Sequence, residues 1–334
     1  MNGVDLAQFQ FDYDMSFAVF FMNADGTIYG RYGTRDARPD DADKDISLLG
    51  LRAGMQAALA LHHGYPANAQ ILEPKLGSPP KYLTAEQYPE MQSYTPKINY
   101  QSDVAKSCIH CHQIHNAERQ GLRDSNQLIP DKILYPYPMP HVVGLSLDST
   151  KRATVKQVIP GSAAAAAKLK VGDEIRFANG QPLVSVADFQ WVLHQTPDEG
   201  ASIPLKVLRA GKEGALTLSL SNGWRKASDF TWRVSTWDLR RMALGGMSLE
   251  LDESGQSTPL NLKVKGVGKY GGHAVARKAG VQAGDRLLSL AGVSETSSEA
   301  ELIAHILNTS KKGDSIPITV RRGSRTLDLK FVAQ

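Results

Sequence analysis

The run Leu169-Lys170-Val171-Gly172-Asp173-Glu174-Ile175 returns later in the chain as Val281-Gln282-Ala283-Gly284-Asp285-Arg286-Leu287-Leu288. Around each copy, similar residue types keep the same order. Val158-Ile159-Pro160-Gly161-Ser162-Ala163-Ala164 precedes the first and His273-Ala274-Val275-Ala276 the second. Asn179-Gly180 and Ala291-Gly292 follow them. The pattern predicts, twice over, a strand, a small-residue helical turn, a Gly-Asp turn, a strand, a Gly turn, a helix and closing strands. The helices are expected at 186–194 and 298–307. The closing strands are expected at 203–208 with 216–220, and at 316–320 with 327–332. Each copy has roughly the 80 to 90 residues of a small independent domain.

Working outward, the 334 residues exceed one ordinary core, and apolar and charged fractions of 42% and 22% fit a globular chain. The formal charge of +4 is too small to argue for nucleic acid. Local basic groups such as Lys206, Arg209 and Lys212, or Arg321, Arg322 and Arg325, are interspersed with acids and read as solvated faces. No apolar run approaches a membrane span, and Met1-Asn2-Gly3-Val4-Asp5 has neither the basic nor the apolar region of a signal peptide.

The opening reads as strand, hairpin, strand: Phe17 to Phe21, the turn Asn23-Ala24-Asp25-Gly26, then Thr27 to Tyr32. A helix follows, capped by Asp45 or Ser47, with Leu48, Leu49, Leu51, Met55, Ala58, Leu59 and Leu61 at helical spacing. Asp41, Asp43 and Asp45 have the first spacings of a calcium loop. Ile46 stands where Gly is needed and Arg52 where Glu is needed, which rejects that reading. Residues 64–100 are rich in Pro and Tyr and read as an irregular connector.

Both cysteines of the chain fall in Cys108-Ile109-His110-Cys111-His112. This spacing points to one covalent haem c: two thiols bond the porphyrin edge, and His112 ligates the iron on the proximal side. Met139, just before Pro140, is the expected distal ligand, with His141 as its rival and His62 and His63 behind. A thiol or disulfide pair, or a zinc site drawing on His112 and His115, stays open as an alternative. No Gly-x-Ser-x-Gly run or protease triad is visible, and Gly266 to Gly272 lacks the Lys-Ser/Thr of a phosphate loop.

The repeat resembles PDZ domains of the bacterial type over 142–222 and 243–334. The whole arrangement also resembles a family in which a thioredoxin-like domain precedes PDZ domains, some members being selenoproteins. Phe11-Asp12-Tyr13-Asp14, Asn23 to Arg31 and Thr231 to Trp237 carry that second likeness. The PDZ resemblance implies that a partner's C-terminal strand adds to a sheet edge beside the domain helix. It places the carboxylate loops at Val143-Gly144-Leu145-Ser146-Leu147 and Gly245-Gly246-Met247-Ser248-Leu249. The groove helices would present Val186, Phe189 and Gln190 in the first copy and Glu299, Leu302 and Ile303 in the second.

The expected fold is therefore α+β and multidomain. It comprises a partial thioredoxin-like segment (1–64), a connector with the haem-binding segment (65–141), a β-barrel-like PDZ domain (142–222), a linker (223–242) and a second PDZ domain (243–334). The expected function is an exported, periplasmic redox or electron-transfer protein, not an enzyme. Haem c would serve a redox partner and the PDZ grooves would hold peptides, with no nucleic acid and no transmembrane segment. An unfinished N-terminal sheet makes a homodimer plausible. The rival readings are a PDZ scaffold with a Cys108/Cys111 switch, and a thioredoxin-like oxidoreductase completed by residues upstream.

Overall fold

The repeated Gly-Asp pair ties each copy together in the same way. Gly172 and Gly284 take φ of 89° and 87°, a left-handed conformation natural only to glycine. The turn brings the next carboxylate back onto the chain. Asp173 Oδ2 accepts from the Lys170 N–H at 2.8 Å, and Asp285 Oδ2 from the Gln282 N–H at 2.9 Å. Arg209 then donates to both oxygens of Asp173 and to the Lys168 carbonyl. Arg322 does the same to Asp285 and the Gly280 carbonyl. Burial pushes the Asp173 carboxyl up, but Arg209 and the Lys170 N–H outweigh it and hold it below the ordinary aspartate value.

The computed structural model describes residues 1–15, 17–34, 46–101, 104–253 and 258–334. The chain forms two compact units, Met1–Cys111 with Tyr135–Ser228, and His112–Leu134 with Asp229–Gln334. The first begins with β1 (Val19–Met22), β2 (Ile28–Tyr32), α1 (Leu48–His63), α2 (Ala69–Leu72) and α3 (Val104–Ser107). The second takes α4 (His112–Asp124) and α5 (Asp131–Leu134). Back in the first unit come β3 (Leu145–Leu147), β4 (Val155–Val158), α6 (Ala163–Ala166), β5 (Glu174–Ala178) and β6 (Gln181–Pro182). That unit ends with α7 (Val186–Gln195), β7 (Ala201–Arg209) and β8 (Lys212–Leu220). The rest of the second unit holds α8 (Thr236–Leu244), β9 (Met247–Leu251), β10 (Leu262–Val267) and α9 (Val275–Lys278). It closes with β11 (Arg286–Leu290), α10 (Glu299–Thr309), β12 (Ser315–Arg322) and β13 (Arg325–Val332).

The fold is mixed α+β with several sheets, but no closed barrel forms among the described residues. In the first repeat β3 pairs with β4, while β6-β5-β7-β8 form a separate sheet. A single bridge, Thr154↔Glu174, joins their margins. In the second repeat the strands make one open sheet, β13-β12-β11-β10-β9. The barrel-like expectation is corrected by these free edges. The compact units also cut the chain elsewhere than the sequence boundaries. Residues 65–141 are shared between the units, and 1–64 pack into one body with the first repeat.

The helices start where their caps stand. Ser47, Ser185 and Ser298 accept from the N–H groups of Gly50, Ala187 and Glu301, and Glu301 returns a bond to Ser298 N. The N-terminal hairpin and α1 lie where the sequence puts them, but α1 turns inward a face that shares only Ala58 and the half-buried Leu51 and Leu61 with the expected one. Its buried residues are Gly50, Gly54, Ala57 and Ala58, and Leu48, Leu49, Met55 and Leu59 are exposed. Small residues win that face because the helix approaches closely: a Cβ on Gly50 would lie 2.0 Å from the Ser149 carbonyl oxygen. The thioredoxin-like assignment gains no support beyond a hairpin and a helix. The outer edge of β2 is covered by α7, not left as an open central edge. The acidic group Asp36, Asp40, Asp41, Asp43 and Asp45 lies outside the described residues, apart from Ile46 and Arg52 that follow it.

Candidate functional site

Strand addition needs an edge whose N–H and C=O groups point into a groove. In β3, Gly144 O accepts from Ile159 N at 2.9 Å and Asp148 N donates to Thr154 O at 2.8 Å. Alternation along the strand then turns the backbone groups of Leu145 and Leu147 away from β4, and Ser146 toward it. Among the described residues the Leu145 and Leu147 groups have no partner outside their own hairpin. Gly144 opens this strand with φ of 81°, and a Cβ there would lie 2.1 Å from Ser162 Cβ. Only glycine fits that loop.

The facing helix is α7. Phe189 is fully buried in the core of the repeat with Val192 and Leu193, so it does not line the groove. Val186 is half-buried beside a residual cavity of about 10 Å³, too small for a ligand group. Gln190 is buried and already satisfied: its Oε1 accepts from Thr34 Oγ1 at 2.6 Å, and its Nε2 donates to the Met139 sulfur at 2.9 Å. The chain's own β2 runs along the outer face of this helix. Arg31 N donates to Asp188 Oδ1 at 3.1 Å, and Ser185 Oγ donates to Arg31 O. Lys75 Nζ lies 2.9 Å from Asp188 Oδ2, both buried. Burial pulls the Lys75 ammonium down to about 8 against the opposing pull of Asp188. The Arg31 guanidinium sits 4.0 Å from the Trp191 ring centroid. The N-terminal segment therefore clamps the helix wall of the first groove.

The second groove is closed differently. Gly268 N donates to Gly246 O, which turns Ser248 toward β10 and Met247 and Leu249 outward. Gly246 N is held by Arg240 O at 2.9 Å. Leu249 N donates to Glu299 Oε1 at 2.8 Å. Glu299, at the first position of α10, also accepts from Nε and Nη2 of Arg240 in α8, at 2.9 and 2.6 Å. This carboxylate sits where a peptide carbonyl would bond. Met247, Leu302 and Ile303 are buried core residues, and Ser248 is half-buried.

Met139, the expected distal haem ligand, is committed to other contacts. The Met139 sulfur accepts from Gln190 Nε2 and lies 3.3 Å from Thr34 Oγ1, inside a buried pocket of the first unit. It is not free to bind iron. His62 Nδ1 is 2.8 Å from the Tyr29 hydroxyl, while His63 and His141 are exposed. Cys108 and Cys111 are unbridged and half-buried, and burial pushes the Cys111 thiol up. Met1 N and Asn2 hold their loop through Ile109 O, Ser107 O and Ile109 N. His112 begins α4, and His115 is buried in that helix.

Sequence reading missed Arg31, Lys75, Asp188 and Arg240. The signal for Asp188 was present: a carboxylate inside the otherwise apolar run Val186-Ala187-Asp188-Phe189 needs a buried partner. Nothing local identified Lys75 as that partner.

Residues 141–220 match the model of the PDZ domain family. The chain is 28% identical over 188 residues to a probable periplasmic serine endoprotease, DegP-like, of Pseudomonas savastanoi pv. phaseolicola (strain 1448A / Race 6), covering 55% of this chain and 38% of that protein. It is 31% identical over 119 residues to the periplasmic pH-dependent serine endoprotease DegQ of Escherichia coli (strain K12), covering 34% and 26%. The crystal structure of the serine endoprotease from Yersinia pestis aligns with 28% identity and a TM-score of 0.21, over 24% of this chain and 28% of that one. The chain thus spans about two fifths or less of these curated relatives. Their nature overturns the expected haem-bearing electron-transfer protein and its cytochrome and redox properties, along with the thiol-switch and oxidoreductase rivals. They are periplasmic serine endoproteases. Among the described residues, no helix is long and apolar enough to cross a membrane.

Proposed function

We propose that this chain is an exported peptide-docking protein of periplasmic proteolysis, in which two PDZ folds receive C-terminal or extended segments of client polypeptides. The observation that carries this reading is the PDZ match over 141–220, combined with the outward backbone of Leu145 and Leu147 beside α7. The second repeat joins it through the same order of elements and the same Gly-Asp-Arg tie. The relatives are periplasmic, which favours an exported location. Both grooves start closed, the first by Thr34 and Met139 on Gln190 and the second by Glu299, so a ligand must displace an internal contact.

The test is fluorescence anisotropy with labelled peptides ending in an apolar residue, each with a free and an amidated C-terminus. Binding that requires the free carboxylate and weakens in Val186→Lys supports the reading. Equal binding of the two forms refutes carboxylate capture. A second reading, proteolysis by the chain itself, is favoured by the relatives' being serine endoproteases. Cleavage of unfolded casein that a serine-directed fluorophosphonate abolishes would establish it.

A further inference from the structure

The first unit carries a second strand edge, on the hairpin of β1 and β2, that pairs with no further strand among the described residues. Arg31 N and O face α7, so Gly30 and Tyr32 face β1, where they oppose Phe21 and Val19. Phe20 and Met22 then direct their backbone groups outward, and none has a hydrogen-bond partner among the described residues. Beside this edge runs an apolar groove of about 640 Å³, open to solvent, between the hairpin and α1. Phe21, Tyr29, Met55 and Leu59 form its apolar part. Met55 and Leu59 are 55% and 54% exposed, unusual for large apolar side chains that face one another on a helix.

The groove also has a charge preference. Arg52 lines it, and none of the described lining residues is a carboxylate. Arg52 stands five residues before the midpoint between Met55 and Leu59, about 7.5 Å along the helix at ~1.5 Å per residue. Side chains on one face of a strand recur every ~6.7 Å. A strand laid along α1 would therefore set an apolar side chain between Met55 and Leu59 and an acidic one, two residues away, over Arg52. A second copy pairing through the same edge about a twofold axis would bring its own Arg52 to the same groove, which disfavours that occupant.

We propose that the β1 edge and the α1 groove bind an extended polypeptide segment with an apolar residue and an acidic residue two positions apart. The segment adds as a strand to Phe20 and Met22. This site is built from residues of neither PDZ groove and goes beyond the PDZ reading.

The experiment uses the full chain and a fluorescein-labelled ten-residue peptide that alternates Thr with Val or Phe and carries Glu two residues from a Phe. Its C-terminus is amidated, which removes carboxylate capture by the PDZ folds, and the α1 variants separate this site from strand addition there. Saturable anisotropy is expected. Met55→Asp with Leu59→Asp, both exposed, should weaken binding about tenfold or more, the loss expected when an apolar side chain no longer buries. Arg52→Glu should weaken the Glu peptide and favour a Lys-bearing analogue. N-methylation of the ladder-forming amides should abolish binding. Unchanged binding in the double aspartate variant, or no reversal in Arg52→Glu, overturns the proposal. So does a self-associated chain that excludes the peptide in sedimentation, which would give the groove to a second copy.

Discussion

Replacing Glu299 with Val should open the second groove at a measurable cost in stability. The wild-type carboxylate accepts two bonds from Arg240 and one from the Leu249 N–H. Glu299 is 8% and Arg240 21% exposed, so the pair is worth more than an exposed ion pair and less than a fully buried one. About 2 kcal/mol for the Arg240 bonds and about 1 kcal/mol for Leu249 is a fair allotment. A latch of about 3 kcal/mol keeps the groove closed by roughly 100-fold, and apparent peptide affinity is lowered by the same factor. Valine at this position reproduces Val186 of the first repeat, which likewise follows its Ser cap. Glu299→Val should therefore cost the second unit about 2–3 kcal/mol in urea unfolding and tighten peptide binding at β9 by up to ~100-fold. Glu299→Gln keeps an acceptor for Leu249 N–H and should fall between. Anisotropy titrations and amide exchange at Leu249 provide the assays. If exchange shows that the Leu249 amide is released while peptide affinity stays at the wild-type level, Glu299 is not a latch.

Lys75 gives the first unit a pH signature. Burial lowers its pKa from 10.5 to about 8, so between those values the unfolded chain holds the proton more tightly, and stability should rise with pH. The rise amounts to about 3 kcal/mol across that window at ~1.4 kcal/mol per unit. Lys75→Met should flatten it, and an unchanged slope in melts from pH 8 to 10.5 would clear Lys75 of the effect. Asp173→Asn and Asp285→Asn should lower the melting temperature of their respective units by similar amounts, because the two carboxylates have matching partners. Since the folded Asp173 pKa is depressed, its contribution should be complete above the unfolded value of 3.8 and fade as pH falls through the folded one. Acid titration of the wild type beside Asp173→Asn reads this directly. Alkylation by iodoacetamide at pH 7.5 should be slow at Cys111, whose thiol burial holds protonated; labelling at the rate of a free thiol would contradict the burial.

The repeat was legible in the sequence because its signals are local. Gly172-Asp173 and Gly284-Asp285 declare their turns, and Phe17 to Tyr32 its hairpin. The face of α1 was misread because leucines outweigh glycines in any apolar pattern, although Gly50 and Gly54 permit the closest contact. The grooves were misjudged for a different reason. Thr34 reaches Gln190 across 156 residues of sequence and Arg31 reaches Asp188 across 157, and no local pattern reports such separations. Met139 showed the same limit: Met-Pro suggested an exposed ligand loop, while the fold buries its sulfur.

The polypeptide passes between its two bodies three times, after residues 111, 134 and 228. On the ribosome, the earlier body cannot finish until its last stretch, ending at Ser228, has emerged, and α4 and α5 must wait for residues beyond 229 to fold around them. Neither body exists as a continuous piece of chain, so a fragment ending near 141 or beginning near 142 would leave both incomplete. Anyone dividing this protein should cut inside a surface loop of one body, or express the chain whole.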